Sequence, residues 1–317
     1  MPMNRIQFQP GLSLPSFLTL FGTEAQCEAS LEKDRWPEGF HCPRCGQSGH
    51  YVLRNSVRKT CQCKGCRKQT SIIAGTLFQA THLALTVWFL AIYLVSQAKT
   101  GLSALELMRD LGVSYPTAWM IHHKLMQAMA ERDALYTLGG VIQVDDAYLG
   151  GELPGGKAGR GSENKVPFVS AVSTDAEGHP IYAKMTPVPG FTRKAIAEWA
   201  RDTLSPGCVV VSDGLACFAG VTDAGCQHSP IVVGGRKPRD LPQFKWVNTV
   251  LGNLKTSFGG AYHALDFDKY GTRYLGAFAY RFNRRFDLAV IPLRLLAAAA
   301  SIGPRPRPWL RLAEESS

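Results

Sequence analysis

The stretch Val141-Ile142-Gln143-Val144-Asp145-Asp146-Ala147-Tyr148-Leu149-Gly150-Gly151 decides the fold class. Residues 141–145 are rich in β-branched apolar side chains and read as a strand that ends on carboxylates. A second near-continuous apolar run, Cys208-Val209-Val210-Val211-Ser212, ends the same way, on Asp213. A buried strand that ends in a carboxylate delivers that carboxylate to the edge of its sheet. If the two strands are neighbours, their aspartates share a site. Two close carboxylates repel unless they share a proton or a cation. Mg²⁺ answers this, because it takes hard oxygen ligands and binds through one or two carboxylates plus substrate phosphates. Two such ions clamp the attacking and leaving oxygens of an in-line phosphoryl transfer. An Asp after a strand also serves as a turn or helix-cap residue, so the pair takes its meaning from its surroundings.

Around these runs, Val166–Ser173 and His179–Met185 also read as strands. Thr192–Leu204 carries apolar residues at Ile196, Trp199, Ala200 and Leu204, a helical period. Val247–Phe258 and Tyr270–Phe282 read as helices too. Strands first, then strands alternating with helices, imply a mixed α/β domain. Gly150–Lys165, rich in Gly, Lys and Arg, reads as a mobile basic loop. Asn248 and Lys255 lie seven residues apart, about two helical turns, so both project from one helix face. One could face a metal while the other meets a phosphate. The competing interpretation is an exposed polar stripe. Asn253 has the right chemistry but points elsewhere on the wheel. Pro304-Arg305-Pro306-Arg307-Pro308 reads as an extended, linker-like end.

Upstream, Cys42-Pro43-Arg44-Cys45 and Cys63-Lys64-Gly65-Cys66 form two C-x-x-C knuckles with seventeen residues between them. This spacing fits a structural zinc site. Four thiolates complete a closed tetrahedral shell, so the ion is not catalytic. The segment between the knuckles has too few large apolar residues for its own core, and metal binding supplies its folding free energy. Cys61 and His50 are nearby substitutes, Cys27 a more distant one; Cys61 is expected to be a thiol that does not ligate. Residues 84–97 read as an apolar helix, and 100–135 as two helices with a tight turn. Ser103 with Glu106 three residues on is a capping-box pattern. Gly112 ends that helix, Ser114 caps the next, and Pro116 sits in its first turn. The second helix carries Thr117, Trp119, His122, His123 and Lys124. Helix, Gly-containing turn and polar second helix match the helix-turn-helix DNA-reading unit; an ordinary helical hairpin has the same outline.

Composition bounds the function. The chain has 317 residues, 45% of them hydrophobic, which excludes wholesale disorder and suits about two domains. The longest apolar run, near Leu83–Val95, is too short to span a bilayer, and no compact apolar stretch with a cleavage site opens the chain. Nine cysteines, an odd number clustered early, suit reduced thiols in a cytosolic setting better than a disulfide framework. The net charge of +10 suits a polyanionic partner. Residues 41–70 hold seven Lys/Arg and no Asp or Glu, while 236–285 hold ten Lys/Arg against Asp240, Asp266 and Asp268. Two separated basic regions favour a long nucleic acid over a small acidic ligand.

Taken in order, these pieces resemble the bacterial insertion-sequence transposases of the DDE class that carry an N-terminal zinc ribbon, the ISXO2-like group. The resemblance rests on the two Cys knuckles, Ala74-Gly75-Thr76, Val144-Asp145-Asp146-Ala147-Tyr148-Leu149-Gly150-Gly151, Ser212-Asp213-Gly214, Val247-Asn248-Thr249 with Asn253-Leu254-Lys255, and Tyr280-Arg281-Phe282-Asn283-Arg284-Arg285. It implies an RNase H-like catalytic domain over 139–290. N-terminal helices and a zinc ribbon would occupy 1–75, a helix-turn-helix-like DNA-binding region 76–138, and a C-terminal tail 291–317. The family's metal-site positions fall on Asp145, Asp213 and Asn248, and its following basic residue on Lys255. Mg²⁺ or Mn²⁺ would be the catalytic cation and Zn²⁺ the structural one, on Cys42, Cys45, Cys63 and Cys66. Arg281, Arg284, Lys124 and Thr117 are the expected DNA contacts. The implied activity is metal-dependent DNA cleavage and strand transfer at terminal inverted repeats, by a homo-oligomer on DNA in the bacterial cytoplasm, nucleoid-associated and not at a membrane. Two departures stand out. Asn248 is neutral at a position that is Glu in some members and Asn in others, and Ala277 stands where a glutamate commonly precedes the Arg-x-x-Arg pair. Both features suit the alternative, a decayed or repurposed DNA-binding protein. A plain RNase H-like nuclease is a third reading, which the N-terminal modules argue against.

Overall fold

Capping and apolar spacing set the elements from the N-terminus onward. A computed structural model of the chain describes residue 6 and residues 8–54, 58–150, 165–237, 240–262 and 265–312. Helices α1 (Leu14–Phe21) and α2 (Glu24–Arg35) begin at Ser13 and Thr23, whose side chains accept backbone N–H groups of the first turn. Three short antiparallel strands follow, β1 (His50–Leu53), β2 (Thr60–Cys63) and β3 (Gln69–Ser71), in the order β1-β2-β3. Helix α3 (Leu85–Gln97) has no local cap; the Glu24 carboxylate accepts the N–H groups of Leu85 and Thr86 at 2.9 and 3.2 Å. Helix α4 (Ala104–Leu111) starts where Ser103 Oγ accepts the Glu106 N–H, and ends at Gly112 in the left-handed region, φ +62°. Only glycine takes that conformation without a Cβ penalty. Helix α5 (Tyr115–Ala134) follows at once.

The larger sheet has five strands: β4 (Val141–Leu149), β5 (Val166–Thr174), β6 (Pro180–Pro187), β7 (Val209–Ser212) and β8 (Gln227–Pro230). Their order is β6-β5-β4-β7-β8. The first three pair antiparallel, and β7 runs parallel to both β4 and β8. Helix α6 (Arg193–Thr203) and the 3₁₀ segment Ala216–Ala224 cover one face, where Ile142, Val144, Val169, Ile196, Trp199, Val210 and Phe218 make a buried core. Helices α7 (Lys245–Ala261) and α8 (Phe267–Asn283) pack against β4, β5 and β6. Side chains alternate along a strand, so Gln143 and Asp145 point away from the face that holds Ile142 and Val144.

The described residues gather into two compact units, one made of residues up to Ala98, Leu102–Ala128 and Arg285–Arg311, the other of Lys99–Gly101 and Met129–Arg284. The boundary falls inside α5. In the first unit, α2 and α3 pack with α9 (Ile291–Ser301). Residues 291–317 were expected to form a tail; instead Ile291, Leu295, Leu296, Ala298 and Ala299 of α9 are buried, and the Leu77 N–H donates to the Ala299 carbonyl. The proline-rich end is likewise not extended throughout, since Arg307–Arg311 form a last short helix, α10. Proline in a first turn is compatible with a helix, and Pro308 takes that place in α10. Most of the expected basic loop, residues 151–164, lies outside the described residues. No helix among the described residues is long and apolar enough to cross a membrane.

Candidate functional site: a carboxylate cluster and a four-cysteine centre

The parallel register of β4 and β7 runs Val141↔Val209, Ile142↔Val210 and Gln143↔Val211. Two steps further on, it sets Asp213 beside Asp145. Asp145, Asp146 and Asp213 each bring one carboxylate oxygen within 4.8 Å of the others, and all three are half-buried. Asp145 Oδ1 accepts the Asp146 N–H at 3.0 Å, and Asp213 Oδ1 accepts the Leu215 N–H at 3.0 Å. Before Asp213, the fully buried Ser212 Oγ lies 2.9 Å from His228 Nε2 on β8. Burial lowers the His228 pKa. Three carboxylates this close carry like charges that only protons or a cation can offset. The donor set is all hard oxygen on a partly open sheet end, which fits a divalent cation of the Mg²⁺ or Mn²⁺ type.

Asn248 and Lys255 both lie on the exposed side of α7, while Val247, Val250, Leu251 and Leu254 are buried. Helix α7 has no local cap. Gln143 Oε1, from the strand that carries Asp145, accepts the N–H groups of Trp246 and Val247 at 2.9 and 3.1 Å. Trp246 Nε1 donates to the Gly178 carbonyl in the β5–β6 turn at 2.6 Å. In the sequence Gln143 is simply one residue of the strand, and nothing local signals its bond to a helix about a hundred residues away.

The basic residues divide. Arg281 on α8 is half-buried; desolvation lowers its pKa, and a hydrogen bond with Tyr262 opposes the shift. Arg284 does not fit a DNA contact. Its Nη2 is 2.8 Å from Asp133 Oδ1, with side chains only 11% and 7% exposed, and its guanidinium lies over the Tyr280 ring at 3.4 Å. Asn283 completes this cluster, with Nδ2 donating to Asp133 and Tyr136 while Oδ1 accepts the Ala183 N–H on β6. Lys124 is likewise engaged inside the protein. It is 6% exposed, its Nζ donates to the Leu77 carbonyl at 3.1 Å, and burial lowers its pKa. Thr117 stays near the surface in the first turn of α5, its Oγ1 3.0 Å from Ser114 Oγ. Ala277 is buried on α8, at 1% exposure.

In the ribbon, one Sγ from each of Cys42, Cys45, Cys63 and Cys66 lies within 4.8 Å of the others. A tetrahedral zinc shell with bonds of about 2.3 Å sets its sulfurs about 3.8 Å apart, so the four thiols fit this ion. The two knuckles have the same backbone. Cys42 N–H donates to Gln47 O and Gly46 N–H to Cys42 O; Cys63 N–H donates to Lys68 O and Arg67 N–H to Cys63 O. Gly46 and Arg67 occupy the matching left-handed positions, φ +75° and +60°. Backbone N–H groups aimed at sulfur favour the thiolate. Burial pushes the Cys42 thiol up, and the N–H groups of Arg44 and Cys45 together with hydrogen bonds from the Cys66 and Cys45 thiols outweigh it, to about 6. Cys61 lies outside the four-sulfur cluster, fully buried in the small core with Phe40.

A mixed sheet that carries carboxylates on adjacent parallel strands, covered by helices on both faces, defines an RNase H-like domain of the DDE type, the nuclease and strand-transfer class. Comparison with known proteins makes the class specific. Residues 137–283 match the ISXO2-like transposase domain, and residues 22–69 match the transposase zinc-ribbon domain. The chain is 28% identical over 217 residues to an "Uncharacterized protein in transposable element ISH50" of Halobacterium salinarum, an alignment that covers 62% of this chain and 70% of that protein. The chain therefore carries the two domains, a transposase zinc ribbon and an ISXO2-like transposase domain, and resembles a protein of a transposable element.

Proposed function

We propose that this chain cuts the ends of its own DNA element and joins them to target DNA, with Asp145, Asp213 and Asn248 as the metal-site residues. The observation that carries this reading is the approach of the Asp145, Asp146 and Asp213 carboxylates to within 4.8 Å at neighbouring strand ends. Divalent cations held there, Mg²⁺ or Mn²⁺, would supply an activated water and charge stabilisation at the attacking and leaving oxygens. Asp145 and Asp213 orient and charge-match that centre. Asn248 offers one neutral carbonyl oxygen, and Asp146 provides the further negative charge that a Glu-to-Asn replacement withdraws. Lys255 binds a substrate phosphate from the same face of α7, and Arg281 is a second phosphate contact. Water performs the first displacement and frees a 3′-hydroxyl; that hydroxyl attacks a target phosphodiester in the second.

The ribbon in residues 1–75, with zinc on its four cysteines, and the α4–turn–α5 segment in 76–138 read the element ends, with Thr117 in the first turn of the second helix. Residues 139–290 act as the catalytic segment. Two ends must be joined in one event, so the working form is a homo-oligomer on DNA, in the cytoplasm with the nucleoid. A decayed DNA-binding protein is disfavoured, because loss of catalysis imposes no need to keep three clustered carboxylates. The test is strand transfer with purified protein, terminal-repeat DNA and Mg²⁺ or Mn²⁺. Asp145→Ala is expected to bind ends and form no joined product. Joined product from that variant would remove Asp145 from the site.

A further inference from the structure

The backbone of the first turn of helix α7 is hydrogen-bonded to the sheet through one side chain. Its first residue is Lys245, and its N-cap position, Phe244, offers no side-chain acceptor. The first-turn N–H groups of a helix need partners. Those of Trp246 and Val247 both go to Gln143 Oε1, across more than a hundred residues of sequence. Gln143 is 7% exposed and Val247 fully buried, so the bond to the Val247 N–H is shielded from water. Gln143 lies two residues before Asp145 on β4, on the same pleat face. Asn248 follows Val247 directly. One amide therefore ties the backbone beneath Asn248 to the strand beneath Asp145.

We propose that Gln143 is a positioning residue for the metal site: it sets the distance between Asn248 and the carboxylate cluster by holding the first turn of α7 on β4. The inference rests on the assignment of Asn248 as a metal-site residue. A neutral carbonyl ligand has little Coulomb attraction to pull it into place, so its contribution depends on how well its helix is held. Trp246, bonded to Gly178, steadies the outer side of the same turn.

The test uses the full-length chain and reads Mn²⁺ binding by electron paramagnetic resonance, without DNA, in a double-mutant cycle. The variants are Gln143→Met, Asn248→Ala and the two combined, with helix content checked by circular dichroism. Gln143→Met keeps length and volume and removes the acceptor. It is expected to weaken Mn²⁺ binding by about tenfold, the usual effect of losing an outer-shell support. Asn248→Ala is expected to weaken binding by a similar factor, and the double variant to be no weaker than Asn248→Ala alone. If Gln143→Met does not fold, Gln143→Asn, which keeps the amide but cannot reach the helix, takes its place with the same expectation. Unchanged Mn²⁺ binding in the folded Gln143 variant, beside weakened binding in Asn248→Ala, overturns the proposal and leaves the site assignment standing. Additive losses in the double variant also overturn it, since Gln143 would then act by another route. Unchanged binding in Asn248→Ala overturns the assignment of Asn248 and this inference with it.

Discussion

Lys124 and Arg284 show how burial reassigns a charge. Both are cationic residues in segments that read as DNA-facing. Lys124 is buried under its own unit and spends its ammonium on the Leu77 carbonyl. Lys124→Met is expected to leave the salt dependence of end binding unchanged. A phosphate contact would instead lower the slope of log K against log salt by about one. Titrating binding over a salt series separates the two. Arg284 sits in a nearly closed ion pair with Asp133. Removing one member of a buried pair leaves the other charge uncompensated, at a cost of about 3 kcal/mol or more. Arg284→Ala is therefore expected to shift the urea unfolding midpoint strongly while end affinity of the folded fraction is kept. A sequence reports charge but not which cations find internal partners. Asp145 and Asp213 were legible for the opposite reason: each ends an apolar strand, and the strand itself fixes where the carboxylate goes. Asp146 was visible as a neighbour, but its approach to both others depends on local geometry that periodicity does not carry.

At the scale of elements, helices with local caps were easy to find. Ser103, Thr192 and Asp266 cap α4, α6 and α8 with their own side chains. Helices α3 and α7 take their caps from afar, Glu24 for the first and Gln143 for the second. Such caps leave no pattern in the neighbouring sequence. The ribbon strands were missed because three or four residues are too few for a period, and the metal rather than a core defines the segment. Helix α9 was missed because its Ala-rich run follows the basic motif and resembles a tail, although its burial against α2 and α3 is extensive. The matched knuckles yield an expectation at this scale. Cys45→Ser, which removes one of the four sulfurs, is expected to reduce bound zinc from about one per chain toward none and to unfold the ribbon. Metal analysis together with limited proteolysis of residues 22–69 checks this; a ribbon that stays zinc-loaded and protected would contradict it.

On the scale of the whole molecule, the strand order β6-β5-β4-β7-β8 makes the site by bringing together residues far apart in sequence. Asp145 and Asp213 meet because the chain leaves β4, builds β5, β6 and α6, and returns to lay β7 parallel beside β4. The mixed α/β class was readable from the alternation of runs; the adjacency of β4 and β7 was only a condition until the register was known. A net charge of +10 and two basic regions suit a long polyanion, and joining two DNA ends asks for more than one active site. Mass photometry of the chain on paired terminal-repeat duplexes is expected to give at least two copies per complex. A single copy bridging both ends would contradict the proposed oligomer.

The central claim is that the clustered carboxylates hold the cations that drive strand transfer. The most direct measurement is formation of joined product from terminal-repeat DNA, with and without Mg²⁺ or Mn²⁺, by the native chain and by Asp213→Ala. Losing one carboxylate removes several kcal/mol of charge stabilisation, about a hundredfold or more in rate. The native chain is expected to give product only with the divalent ion, and Asp213→Ala to bind the same ends and give none above about one per cent of that rate. Product formed by Asp213→Ala at the native rate, or by the native chain in chelator, would contradict the account.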